Sequence, residues 1–92
     1  MNIGHALKEI RKGKGLTQKQ LAGKINISNT YLSEIENNTR RPSIEVIKGI
    51  SDALDIPFVY LILKSLEKED LKDESKEGFL QKVSQELDRA FI

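Results

Sequence analysis

The sequence predicts an all-α protein, and three features carry that reading. Apolar residues recur at spacings of three and four along most of the chain. Ser and Thr stand where helices would begin, and glycine or asparagine where they would end. Ile3, Leu7 and Ile10 give a first helix one apolar stripe, and Gly13 and Gly15 close it, because glycine accepts the positive φ of a helix stop. Thr17 is a natural N-cap, and Gln20 three residues on completes a capping box ahead of a short second helix with Leu21, Ala22 and Ile25. Ser28 caps a third helix that turns Leu32 and Ile35 inward. A polar loop from Asn37 to Pro42 leads to Ser43 and a fourth helix carrying Val46, Ile47, Ile50 and Leu54. Pro57, suited to a first helical position, opens a fifth.

The fifth helix places apolar groups on nearly every face, through Phe58, Val59, Tyr60, Leu61, Ile62, Leu63 and Leu66. A body this small cannot cover them all, so Phe58, Leu61, Ile62 and Leu63 are candidates for contact with a second copy of the chain. The competing reading is a central core helix, or a cover for the last segment. Residues 67–78 hold nine charged residues in twelve, which suits a solvated helix end or linker. Phe79, Leu80, Val83, Leu87 and Phe91 then return to helical spacing, with Asp73 or Ser75 as a cap. The chain thus divides into a five-helix domain over residues 1–66 and a charged linker with an amphipathic C-terminal helix over 67–92. That last helix can fold back, swap onto a sister subunit, or bind another protein.

Composition narrows the function. The 92 residues contain one His and no Cys, which removes thiolate metal sites, disulfides and a cysteine nucleophile. No apolar run approaches the ~20 residues of a bilayer span, and the N-terminus lacks the features of a signal peptide, so a cytoplasmic protein is expected. The overall charge of +1 hides an asymmetry: residues 1–66 hold ten basic and six acidic residues, and residues 67–92 five and eight. A basic body with an acidic tail points to a polyanionic partner.

The informative stretch runs from Gln18 to Ile35, two short helices separated by Asn26-Ile27-Ser28. Small Ala22 permits a close crossing, and Leu21, Ile25, Ile27, Leu32 and Ile35 fill the junction. Asn26 occupies the turn position that needs positive φ, as the residue most tolerant of it after glycine. Ser28, Asn29, Thr30, Ser33 and Glu34 are then left polar and outward, free to enter a groove. The segment GLTQKQLAGKINISNTYLSEIENNTRRPS resembles the DNA-binding domain of the phage Cro and lambda-repressor-like helix-turn-helix family, the xenobiotic-response-element type. The likeness rests on Gly-Leu-Thr-Gln-x-x-Leu-Ala, Tyr-Leu-Ser-x-Ile-Glu and Arg-x-Pro-Ser in that order, and spans about Ile3 to Leu66.

The resemblance implies a five-helix fold and binding to double-stranded DNA, with no cofactor and no metal. By position, Asn29, Thr30, Ser33 and Glu34 match residues facing base edges in the major groove. Gln18, Ser28, Tyr31, Asn37, Arg40, Arg41 and Lys14 match, or lie beside, contacts to the phosphate backbone. Arg11 and Glu36 match a pair that ties the first helix to the end of the third. The chain departs from the family at Asn38, where glycine is common, and Asn38 is expected to keep the left-handed cap. It departs again at Glu34, whose carboxylate repels phosphates unless it accepts from a cytosine amine or pairs with a cation.

Other motifs have plainer readings. His5 has no second ligand in view and reads as a solvated side chain. Gly13-Lys14-Gly15 lacks the spacing of a nucleotide loop and reads as a helix stop. The acidic run from Glu67 to Glu77 does not fit a calcium loop. No nucleophile with a base is in sequence view, so an enzyme is not expected. The expected function is a homodimeric DNA-binding regulator, a repressor or autoregulator on a near-palindromic operator. The alternative is an antitoxin or adaptor that binds a partner protein through residues 79–91, with DNA binding secondary.

Overall fold

The computed structural model describes residues 1–67 and 76–91. These form six helices: α1 (Ile3–Gly13), α2 (Gln18–Lys24), α3 (Asn29–Glu36), α4 (Ile44–Ala53), α5 (Phe58–Ser65) and α6 (Lys76–Ala90), with no strand among the described residues. The caps anticipated at Asp73 or Ser75 lie outside the described residues.

Helix starts follow local chemistry. Thr17 Oγ1 accepts from the Gln20 amide while Gln20 Oε1 accepts from the Thr17 amide, a full capping box. Ser28 and Ser43 accept from the amides of Tyr31 and Val46. Asn2 caps α1 by accepting from the His5 amide, a start that the stripe of Ile3 and Leu7 does not announce. Pro57 stands at the N-cap of α5, one residue before the helical position expected for it.

Helix ends share one geometry. After each of the first four helices, a residue in the left-handed region turns the chain: Gly15 (φ 73°), Asn26 (56°), Asn38 (59°) and Asp55 (57°). The following amide then donates back five residues, from Leu16 to Arg11, Ile27 to Ala22, Thr39 to Glu34 and Ile56 to Ser51. That bond satisfies a carbonyl the helix leaves open. Gly13 remains helical, so the positive φ belongs to Gly15 alone.

Leu7, Leu21, Leu32, Ile35, Ile47, Ile50 and Leu61 make the centre of the core, all out of contact with solvent. Buried Ser51 and Ser65 donate their hydroxyls to the carbonyls of Ile47 and Ile62, so neither is left unpaired. The Asn2 amide donates to the Ser65 carbonyl at 2.7 Å, joining the start of α1 to the end of α5. At the far end of α6, Phe91 is buried in the same core and its ring lies 6.3 Å from that of Phe58.

Two long-range ties set α1 against α3. Gly4 faces the end of α3 so closely that a Cβ there would meet the Ile35 carbonyl and lie 2.7 Å from that of Glu36. Its amide donates to Asn38 Oδ1, and Asn38 Nδ2 donates to Asn2 Oδ1. The second tie is ionic. Arg11 Nε donates to Glu36 Oε2 at 2.7 Å and Nη2 to Oε1 at 3.0 Å, with side chains 7% and 0% exposed. Arg11 Nη1 also donates to the Leu16 carbonyl, and Gln18 Nε2 to Glu36 Oε1. The buried pair thereby links α1, the first residue of α2 and the last of α3 through the carboxylate, and the loop after α1 through the guanidinium.

Three outcomes follow for stability. Gly4→Ala should cost about 1–3 kcal/mol in urea unfolding, because the methyl would meet the backbone carbonyls of Ile35 and Glu36 as well as the Asn38 amide oxygen. Gly49→Ala, where nothing lies within 4 Å, should instead gain about 0.5–1 kcal/mol from helix propensity alone. Arg11→Leu and Glu36→Leu should each cost about 3–5 kcal/mol by stranding a buried charge, and the double variant much less than their sum. Additive losses in the same unfolding assay would show that the two residues do not act as a pair.

Candidate nucleic-acid interface

The interface is built by α2, the Ile25–Ser28 turn and α3. Ala22 is buried at the crossing, and Ile25 and Ile27 pack half-buried against the core. With Asn26 in the left-handed region, the chain turns sharply and restarts at Ser28. Ser28, Asn29 and Thr30 are exposed at the N-terminal end of α3, and Ser33 and Glu34 are half-buried one turn later. Leu32 and Ile35 on the opposite face are fully buried, so the orientation of α3 follows from its own apolar spacing. Nothing in the described residues closes over the exposed end.

The candidate backbone-contacting residues divide into three groups. Lys14, Asn37 and Arg41 are exposed, Lys14 at the C-cap of α1 and Asn37 at that of α3, where its side chain donates to Ser33 Oγ at 3.5 Å. Tyr31, Glu34 and Arg40 form a cluster: Arg40 Nη1 lies 3.3 Å from Glu34 Oε2, and its guanidinium carbon 5.3 Å from the Tyr31 ring centre. Glu34 therefore has the cation that its place beside a polyanion calls for. Gln18, half-buried at the start of α2, donates one amide N–H to Glu36 Oε1. The second N–H of its amide remains a donor for a phosphate.

The expected self-association face of α5 needs correction. Leu61 is 0% exposed and Ile62 is buried, because both point into the core between α1 and α4. Phe58 is half-buried and engaged with Phe91. Of the four residues named, Leu63 alone is open, at 57%, beside Val59 at 64% and Tyr60 at 45%. A helix apolar on every face has no period that separates its inner from its outer side, so its sequence does not distinguish Val59 and Tyr60 from Leu61 and Ile62.

Among the described residues no group of His, Asp or Glu could hold a metal ion, and no helix is long and apolar enough to cross a membrane. His5 Nε2 lies 3.1 Å from Glu9 on the exposed side of α1, as a surface pair.

A helix-turn-helix family model matches residues 7–61. The immunity repressor protein of Bacillus phage phi105 is 43% identical over 56 residues, which are 61% of this chain and 39% of that protein. The HTH-type transcriptional regulators ImmR and SinR of Bacillus subtilis are 38% and 37% identical over 64 and 68 residues. Those matches cover 70% and 73% of this chain, but only 50% and 61% of the relatives. A solved chain titled SinR protein/SinI protein complex superposes with a TM-score of 0.63 at 30% identity, over 95% of this chain and 96% of that one. The buried crossing at Ala22, the turn at Asn26 and the exposed start of α3 are thus features of a chain that belongs to the Cro/C1-type helix-turn-helix family of DNA-binding transcriptional regulators.

Proposed function

We propose that the chain is a homodimeric repressor or autoregulator, acting in the cytoplasm on a near-palindromic DNA operator. The observation that carries this reading is the exposure of Ser28, Asn29 and Thr30 at a helix N-terminus. An asparagine at that end can bond the acceptor and the amine of adenine together, and the threonine methyl can meet that of thymine. Ser33 and Glu34 stand behind them. Glu34 accepts from a cytosine amine, or stays on Arg40 and reads nothing. Arg41, Asn37, Tyr31, Lys14 and the first amides of α3 hold the register on phosphates without reading sequence.

One such unit reads a few base pairs, so specificity calls for two, centred about 34 Å apart. Val59, Tyr60 and Leu63 supply an apolar patch on α5 for that pairing. A second reading has its own support. Leu80 on α6 is 55% exposed while Leu87 and Phe91 are packed, which leaves part of the C-terminal stripe open to a partner protein. The solved structure that matches nearly the full length is that of a complex of two proteins, SinR and SinI. In that reading the chain is an antitoxin or adaptor whose residues 79–91 take a partner, with DNA binding secondary.

Operator affinity should fall steeply with salt, with a slope in log K against log salt of about −0.9 per phosphate neutralised. Asn29→Ala should lose about 1–3 kcal/mol of discrimination at particular base pairs, and Arg41→Ala should weaken all duplexes alike and flatten the salt slope by about 1. Identical profiles for the two variants in a binding titration would refute the division between readout and positioning. Leu63→Glu should sediment as a monomer and retain the circular dichroism of the parent chain. A dimer of unchanged mass would place the pairing surface elsewhere.

A further inference from the structure

Glu34 is tied to the α3–α4 loop through its main chain and its side chain. Its carbonyl accepts from both the amide and the hydroxyl of Thr39, at 2.9 and 3.2 Å. With Asn38 in the left-handed region, these bonds turn the chain back along α3 and bring the next residue, Arg40, beside the Glu34 carboxylate. Arg40 Nη1 donates to Glu34 Oε2 at 3.3 Å. The guanidinium also lies over the ring of Tyr31, three residues before Glu34 on the same helix face. All three side chains line one shallow depression with Ser28 and Thr30, at the exposed end of α3.

The pair has an inner and an outer member. The side chain of Glu34 is 37% exposed and that of Arg40 60%, so a ligand approaching from solvent meets the cation first. One N–H of Arg40 goes to the carboxylate, and its other donors stay open to an anion. Held by a carboxylate and an aromatic face together, the guanidinium gives up less side-chain freedom on binding than an arginine without such a hold. We infer that Glu34 is a positioning residue and not a base reader: it holds Arg40 beside the exposed end of α3, and Arg40 contacts a DNA phosphate. The inference rests on the DNA-binding reading above and decides between the two roles that reading leaves to Glu34. The hold is a bias between exposed groups, so its effect on affinity is about two- to fivefold.

Glu34→Gln and Glu34→Ala both remove the charge, but only the first keeps an acceptor for Arg40. The full chain is compared with these two variants, each alone and combined with Arg40→Gln or Arg41→Gln, in titrations of a random-sequence 30-base-pair duplex. Arg40→Gln should flatten the log–log salt slope by about 0.9. Glu34→Gln should bind about two- to fivefold more tightly than Glu34→Ala. That difference should vanish beside Arg40→Gln and persist beside Arg41→Gln. Site selection from a randomised duplex pool should return the parent's base preference for Glu34→Gln, whereas loss of a carboxylate bonded to cytosine would shift it at one position by about fivefold or more. Such a shift overturns the inference and leaves the DNA-binding reading standing. So does a parental slope in Arg40→Gln, or equal binding by Glu34→Gln and Glu34→Ala. A difference between those two that survives Arg40→Gln, or is lost beside Arg41→Gln as well, has the same consequence. No salt-dependent binding by the parent chain refutes the DNA-binding reading, and this inference with it. Thermal melting should be alike for Glu34→Gln and Glu34→Ala, because the Thr39 bonds use the main-chain carbonyl. A difference in binding accompanied by a lost transition would assign Glu34 a structural role and overturn the inference.

Discussion

The buried pair of Arg11 and Glu36 is the constraint on which the DNA-facing geometry depends. Glu36 ends α3, so fixing its carboxylate fixes the axial position of the helix whose other end is exposed for recognition. The donors come from two pieces of chain, Arg11 on α1 and Gln18 at the start of α2, and the Leu16 carbonyl accepts the remaining Arg11 bond. A buried ion pair of this kind adds little net stability over an apolar substitute, because desolvation offsets the attraction. Its effect is geometric: the guanidinium fork accepts the carboxylate in one plane, whereas an apolar contact would let the helices slide. Gly4 works in the same direction, since the carbonyls it approaches admit no larger residue.

The pair between Glu34 and Arg40 is of a different kind. Its side chains are exposed or half-exposed, where an ion pair is worth at most about 1 kcal/mol. Such a bond leaves both side chains free to rearrange. The two pairs, one shut away and one open, assign rigidity to the back of α3 and adaptability to its front.

Much of this is legible in the sequence. The stripes of α1, α3 and α4, the capping box at Thr17 and Gln20, and the serine caps depend on residues within one turn, so local spacing reports them. The left-handed turns at Asn26 and Asn38 were readable for the same reason, whereas Asp55 was missed because the apolar run continues past it into Ile56. Features that depend on distant partners were not readable. Asn38 bonds Gly4 and Asn2 across more than thirty residues, and Gln18 donates an amide N–H to Glu36 across eighteen. The side of α5 that is buried is decided by α1 and α4, not by its own pattern, which is why Leu61 and Ile62 were placed outside. Glycine within a helix, as at Gly4, was the available signal of a close crossing.

The use of asparagine and aspartate in place of glycine at three helix ends has a consequence in the denatured chain. Holding an L residue at positive φ costs about 1–2 kcal/mol in the folded form. A side chain at those positions also narrows the backbone freedom of the disordered ensemble, which leaves less entropy to surrender on collapse. The two effects oppose each other, so a chain with only a small core can keep its tight corners without the extra slack that glycine would bring.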